Sequence, residues 1–436
     1  MFKISSALYD TSEVSLHERR DLAVREATRG PNVDRCCVLS GALDRARLQR
    51  ALQQLARRHE GLRTRFVRGP NGEFFRKIEP TLDIPLISVD LTPYSATDEI
   101  VREQIKAAAA QGFGPEEYPL IRVTCFSTAA NETVFILSVA DLIADGKAAA
   151  ILNKELSDLY ESSMNDSEPR LPIIEVTLSQ FVASQNAWMK TAQYRERVDL
   201  LIAKLRQQVE NSGGIEQLFF RPKSKESFLI ERQFPAEVAD EVYKIAALMR
   251  VSVPTVVVAL TGICIARARD SEGLFFTSTF SNRHVPGTAN LVGHLATTIP
   301  SYLSVERQHS ASECVQKLHR DLFLSMSQYS MIPISEFTSG FAQYYPELPA
   351  GVSIKFGKVV MDVVQDEFHQ LFGLKSRPDV AAVPRGIGAL YKFVFQAAHA
   401  GRLRLWLRGM QDAENERTAR QIVDHSFQHA LESIRL

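Results

Sequence analysis

What this chain lacks narrows it first. It has no surplus of charge: 51 Lys and Arg stand against 51 Asp and Glu, so the formal net charge is zero. A dedicated nucleic-acid binder carries a basic excess for the phosphate backbone, so no nucleic-acid partner is expected. Cysteine is scarce. None of Cys36, Cys37, Cys125, Cys264 and Cys314 forms a C-x-x-C pair with metal-ligand spacing, so the spacing suggests no metal site. Thiols in odd number, with no basic-then-apolar leader behind Met1-Phe2-Lys3-Ile4-Ser5, point to a reducing, cytoplasmic setting. Long hydrophobic runs are missing too. The most apolar stretch, Val251–Ile265, is too short and too interrupted to span a bilayer, so no membrane partner is expected. Neither G-x-G-x-x-G nor a P-loop occurs, which removes the common nucleotide-binding readings.

What is present fits a folded chain. At 45% hydrophobic and 23% charged residues over 436 positions, the composition is that of a globular protein of two or three compact units. Asp44 is placed to cap a helix carrying Leu48, Leu52 and Leu55. Leu120–Phe126 and Val134–Val139 are short apolar runs that read as buried strands. A helix follows Gly146, with Ile151, Leu152, Leu156 and Leu159 on one face. The polar, turn-rich Met164–Pro172 is the linker candidate.

The second half repeats this style. Val238, Val242, Ile245 and Leu248 mark an amphipathic helix, and Pro254 opens an apolar one over Thr255–Ala266, which should be buried. Leu274–Phe280 reads as a strand. Ser310-x-x-Glu313 is a capping box, and Arg402–Arg408 alternates as a half-buried strand does. A C-terminal helix should turn Ile422, Val423, Phe427 and Leu431 inward. The class is therefore α/β in both halves.

One segment goes further. Ser138-Val139-Ala140-Asp141-Leu142-Ile143-Ala144-Asp145-Gly146 follows a buried strand and precedes a helix. It resembles the His-His-x-x-x-Asp-Gly motif of nonribosomal peptide synthetase condensation domains, with Ala140 and Asp141 at the two histidine positions. Other segments resemble that family in its order. They are His59-Glu60-Gly61-Leu62-Arg63-Thr64-Arg65-Phe66, Ser179-Gln180-Phe181 through Trp188, Ser252-Val253-Pro254-Thr255, Ser281-Asn282-Arg283-His284-Val285-Pro286, Leu291-Val292-Gly293-His294 through Pro300, and Gln328–Phe337 around Pro333. The resemblance implies two chloramphenicol-acetyltransferase-like lobes in a V-shaped pseudodimer, 1–172 and 173–436, with a central substrate channel and the motif loop at its middle. It implies no bound cofactor, since the substrate arrives on the phosphopantetheine of an acyl or peptidyl carrier protein. A monomer is expected.

The chemistry such a site performs assigns roles. Amide formation from a thioester needs a positioned amine, a group that takes or steers its proton, and a donor to the oxyanion. By the resemblance, Asp141 holds the position of the proton-handling histidine, with Leu142 and Ile143 offering an apolar setting. Asp145 implies a structural role, in a salt bridge to Arg63 that holds the motif loop. Gly146 implies a tight turn or close approach of the pantetheine. Arg283 faces the channel or braces the interface of the lobes. His284 and His294 are the histidines nearest these elements, and one of them can replace the missing motif histidine. Lys392, in Tyr391-Lys392-Phe393, either meets an anionic acceptor near the channel floor or is solvated. His17, His309, His319, His369, His399, His425 and His429 look scattered, without ligand spacing.

Three functions compete. The first is a free-standing condensation enzyme joining a carrier-bound acyl or aminoacyl group to a small soluble amine, an amino-sugar of the lincosamide type being one such acceptor. No carrier-type Gly-Gly-x-Ser segment occurs, so the carrier acts in trans. The second is a non-catalytic module that binds carriers and recruits a tailoring enzyme such as a cytochrome P450. The third, a heterocyclisation relative, normally sets its two aspartates one residue further apart than Asp141 and Asp145.

Overall fold

The computed structural model describes residues 13–24, 29–95, 98–211, 227–268, 270–305, 309–329, 331–333, 336, 340, 344, 359–365, 370–378, 391–398, 402–410, 413–423, 431–432 and 434. The contacts divide the chain into two units. One comprises 1–191, 281–296 and 368–385, and the other 192–280, 297–367 and 386–436. The stretches 173–191, 281–296 and 368–385 thus fold with the first unit, where the sequence reading set a single division at 172/173. Of the linker candidate Met164–Pro172, Met164 ends a helix and residues 165–170 are irregular and exposed, and the stretch lies within the first unit.

The first unit is built on a six-stranded sheet. Its strands are β1 (Asn32–Ser40), β4 (Leu86–Asp90), β5 (Ile121–Ala129), β6 (Glu132–Ala140), β11 (Gln370–Leu371) and β12 (Leu374–Pro378), in the order β11-β12-β1-β6-β5-β4. A separate hairpin pairs β2 (Thr64–Arg68) with β3 (Phe74–Ile78). Strand β6 reads as a continuous apolar run because both of its faces are covered. Phe135, Leu137 and Val139 pack with Leu48, Leu52 and Leu55 of α2 (Arg45–Arg58) and with Leu152 and Leu156 of α4 (Gly146–Met164). Val134 and Ile136 point the other way, to Val101 and Ile105 of α3 (Glu99–Ala110). Alternation with period two sends neighbours to opposite faces, and each fully buried leucine contributes about 2 kcal/mol.

Caps and clamps set the ends of these helices. Asp44 accepts from the Arg47 amide at 3.0 Å and starts α2. At the other end of α2, His59 Nε2 and Arg58 Nε reach the Glu155 carboxylate on α4 at 2.8 and 2.7 Å. Glu60 accepts from the amide and hydroxyl of Ser179 at 2.9 and 2.5 Å, which ties α5 (Leu178–Met189) to this unit. At the start of the described chain, Ser15 and Glu18 form reciprocal bonds of 2.7 and 3.1 Å, a capping box that opens α1 (Leu16–Val24).

The second unit carries α6 (Ala192–Asn211) and a six-stranded sheet ordered β7-β14-β13-β10-β8-β9. The strands are β7 (Ser227–Gln233), β8 (Gly273–Phe280), β9 (Thr297–Ser304), β10 (Val359–Gln365), β13 (Tyr391–Ala398) and β14 (Arg402–Met410). Its core joins α7 (Ala236–Met249), α8 (Val253–Ala268) and α9 (Ala311–Tyr329) to the sheet. Every residue of α8 from Thr255 to Ala266 is buried, as its all-round apolarity requires. Gly262 lets this helix approach β9 closely, since a Cβ there would stand 2.4 Å from Leu303 Cδ2. In β14, Leu403, Leu405 and Leu407 are buried while Arg404, Trp406 and Arg408 are half-buried. The last helix, α10, spans Ala413–Gln421. Ile422, Val423 and Leu431 are buried, and Phe427 lies outside the described residues. Among the described residues no single helix is long and apolar enough to cross a membrane.

Candidate active site

The site grows from the end of β6. Ala140 is fully buried, and its amide donates to Leu120 O at 2.9 Å. The chain then turns: Ile143 N and Ala144 N both donate to Ala140 O, at 3.0 and 3.2 Å. Leu142, Ile143 and Ala144 pack into the core. The turn leaves the Asp141 side chain 29% exposed while its amide donates to Pro31 O at 3.1 Å. The apolar residues that follow Asp141 therefore serve the core.

Asp145 is the fixed point of the loop. Its Oδ1 accepts from the Ala148 amide at 2.8 Å and caps α4. Its Oδ2 accepts from Arg283 at 2.6 Å and from the amides of Leu295 and Ala296 at 2.9 Å each. Burial alone would raise its pKa, but the Arg283 guanidinium and these donors hold it below the usual carboxylate range. The expected partner was Arg63, and here the structure corrects the sequence reading. Arg63 donates instead to Glu79 O at 2.8 Å, at the end of the β2–β3 hairpin, while Arg283 takes the carboxylate. Arg283, 6% exposed, also donates to Ser281 O, Leu291 O and Gly293 O, so one guanidinium binds the 281–293 loop to the motif. Gly146 is the first residue of α4, and a Cβ there would meet nothing within 4 Å. No backbone constraint requires glycine, which corrects the tight-turn expectation.

Two imidazoles flank Asp141. His294 Nδ1 lies 2.7 Å from Asp141 O and 3.6 Å from Asp141 Oδ1. A carbonyl only accepts, so Nδ1 of His294 is the nitrogen that donates in this bond. His17, on α1, stacks on His294 with ring centroids 3.4 Å apart and planes at 21°. Its Nε2 stands 3.4 Å from Asp141 O and 3.8 Å from Asp21 Oδ2, four residues on along the helix. Burial, followed by the charge of His294, pushes the His17 pKa down to about 3. Asp141, His17 and His294 each offer a ligand atom, all within 4.8 Å of one another.

His17 is the residue that sequence reasoning missed. In the sequence it stands among the scattered histidines, and the fold brings it to the motif. The pattern Ser15-x-x-Glu18, which opens its helix, is the available signal. Glu18 also reaches Arg76 of β3 at 3.4 Å, which fixes α1 in place. His284 stands exposed in the turn after Arg283. Lys392, half-buried, belongs to the second unit, in register with Arg408 across β13–β14.

A condensation-domain family model matches residues 23–343, more than half of the chain. The chain belongs to the condensation-domain family. A linear gramicidin synthase of Brevibacillus parabrevis is 31% identical over 196 residues, 44% of this chain. Gramicidin S synthase 2 of Aneurinibacillus migulanus is 23% identical over 270 residues, 62% of this chain. The chain spans only 4% of the length of the first relative and 6% of the second. Among solved structures, the condensation enzyme VibH matches with a TM-score of 0.75 and 15% identity over 96% of each chain. The X-domain from teicoplanin biosynthesis matches with a TM-score of 0.76 and 16% identity, over 99% of this chain and 98% of that one. At such identities the likeness speaks for the mixed α/β condensation-domain fold, which relates to chloramphenicol acetyltransferase. Within that fold the motif turn of this domain keeps Asp145 and Gly146 and carries Ala140 and Asp141 where two histidines are usual.

Proposed function

We propose that this condensation domain joins an acyl or aminoacyl group, delivered as the phosphopantetheine thioester of a carrier protein, to a small soluble amine. The amine lone pair attacks the thioester carbonyl and the C–N bond forms. The C–S bond then breaks, and the pantetheine sulfur leaves and is protonated to the thiol. The ammonium proton passes to the Asp141 carboxylate, or the carboxylate holds the cationic amine in line. The observation that carries this reading is the partly exposed Asp141 carboxylate on a turn whose far end is locked by Asp145. An amino-sugar belongs to the acceptor class this chemistry serves. Carrier and acceptor are the partners, and the protein needs no cofactor of its own.

A second reading draws on one feature, the buried Ala140 at the first motif position. With both histidines replaced, the domain would bind loaded carriers and recruit a tailoring enzyme. The X-domain from teicoplanin biosynthesis, of like fold, is found in complex with OxyB.

The test follows aminoacyl-loaded carrier proteins by intact mass in the presence of a pool of amines, with wild type and Asp141→Asn side by side. Loss of the acyl group into a new amide with wild type alone supports acyl transfer through Asp141. Retention of the loaded carrier without unloading, together with binding of a tailoring oxidase, supports recruitment and overturns acyl transfer.

A further inference from the structure

We infer that His17, His294 and Asp141 form a binding site for a divalent transition-metal ion of the zinc class. The three side chains come from distant parts of the chain, 124 and 153 residues apart in the two pairings with Asp141. Each is held by contacts of its own. The capping box of Ser15 and Glu18 and the Glu18–Arg76 pair fix α1. Four hydrogen bonds from Arg283 fix the loop that carries His294. The Asp145 cap fixes the turn that carries Asp141. Donors brought together by independent supports stay close without a ligand to gather them, which lowers the cost of binding one.

The donor set selects the ion. Two imidazole nitrogens and one carboxylate oxygen suit zinc, cobalt and nickel, whereas calcium and magnesium take oxygen alone. Three protein ligands leave a coordination position open. Asp21, 3.8 Å from His17 Nε2, adds a second carboxylate at the edge of the cluster. The backbone carbonyl of Asp141 accepts from His294 Nδ1, an orientation that ligating histidines commonly receive from a neighbouring carbonyl.

Ring geometry sets the adjustment that coordination requires. Ligand atoms of a tetrahedral zinc centre lie about 3.4 Å apart, given bonds near 2.0–2.1 Å. The present spread of up to 4.8 Å closes by little more than an ångström. The stacked planes turn out of parallel about the Cβ–Cγ bonds, which are broad torsions, and rotation about Cα–Cβ moves the ring centres apart. The inference does not depend on acyl transfer: an ion held here would occupy the Asp141 carboxylate that the transfer uses, and its binding is detected whether or not the chain turns over.

The experiment takes the purified full chain, stripped with chelator and dialysed, and titrates it with Zn2+ by calorimetry and with Co2+ by visible absorption. One ion per chain is expected, with the X-ray absorption spectrum of the zinc-loaded wild type reporting two imidazoles. His17→Gln, His294→Gln and Asp141→Asn should each weaken binding by at least about 100-fold, beyond what loss of an outer-shell partner causes. His319→Gln, on α9 of the second unit, should leave it unchanged. Circular dichroism identifies any variant that fails to fold, and the wild-type absorption spectrum then decides alone. The inference is overturned by the absence of saturable binding, by a wild-type spectrum without two imidazoles, or by equal binding in folded His17→Gln and His294→Gln proteins.

Discussion

Asp145 and Asp141 stand on one turn, and the chain surrounds them differently. Asp145 is 3% exposed, caps a helix with one oxygen and receives three donors on the other. Asp141 is 29% exposed, and imidazoles stand around its carbonyl and carboxylate. The first arrangement fixes conformation, since a buried carboxylate ringed by donors has one low-energy geometry. The second leaves a carboxylate oxygen within reach of other groups. A turn that must present one group accurately is thus anchored by another of the same type.

The comparison breaks most readily at Asp145. Asp145→Asn should cost about 3–5 kcal/mol, because it strands the Arg283 guanidinium at 6% exposure. Urea unfolding measures this, and Arg283→Ala should match it with strong coupling in a double-mutant cycle. A cost under about 1 kcal/mol would show that the loop does not need its anchor. Because its folded pKa is depressed, Asp145 contributes stability that is present above the unfolded value and lost as pH falls through the folded one.

Asp141→Asn should behave in the opposite manner. Its stability should stay within about 0.5 kcal/mol of wild type, because the carboxylate, 29% exposed, keeps contact with water, while carrier unloading falls by about 100-fold or more, the range of a lost proton-transfer group. Equal losses in stability would erase the distinction between the two aspartates.

A third carboxylate sharpens the contrast. Asp34, on β1, is raised to about 6, because burial outweighs the hydrogen bond from Ser138, the charge of Arg122 and the hydrogen bond from Asn32. Its folded form holds a proton more tightly than the unfolded one. Stability is therefore greatest below the unfolded value of 3.8 and declines as pH rises through about 6. Asp34→Asn should stabilise the protein at pH 7 by about 1–2 kcal/mol, after allowance for residual solvation. The gain should vanish below about pH 4, which thermal melts across pH will show.

Gly146→Ala should give the smallest effect. Open space at the missing Cβ and a helical first turn predict a change of at most about 0.5 kcal/mol, in the stabilising direction. If unloading falls while stability holds, a substrate approaches the backbone there.

The layered core was legible because its causes are local. The runs at Leu120 and Val134, the Asp44 cap, the Ser310–Glu313 box and the alternation of Arg402–Arg408 each depend on neighbours a few residues away. Asp145 was legible as a structural residue of the loop through the family resemblance, and its helix cap was not. Its partner was not, since Arg283 stands 138 residues on and Arg63 offered the same guanidinium. His17 was missed for the same reason: nothing within its own helix refers to residue 294. The side chains around the motif come together through tertiary folding, and no spacing in the chain encodes that meeting.

The Arg283 clamp also bears on when the protein can fold. Asp145 leaves the ribosome 138 residues ahead of Arg283, an interval on the order of ten seconds at ordinary rates of synthesis. Throughout that time a carboxylate destined for the interior has only its helix cap. The first unit cannot close on itself as it emerges, because it waits for strands and loops threaded through its neighbour's sequence. A fragment ending near Thr191 should therefore remain dependent on chaperones or precipitate, and splitting this chain there into two serial pieces would part Asp145 from Arg283.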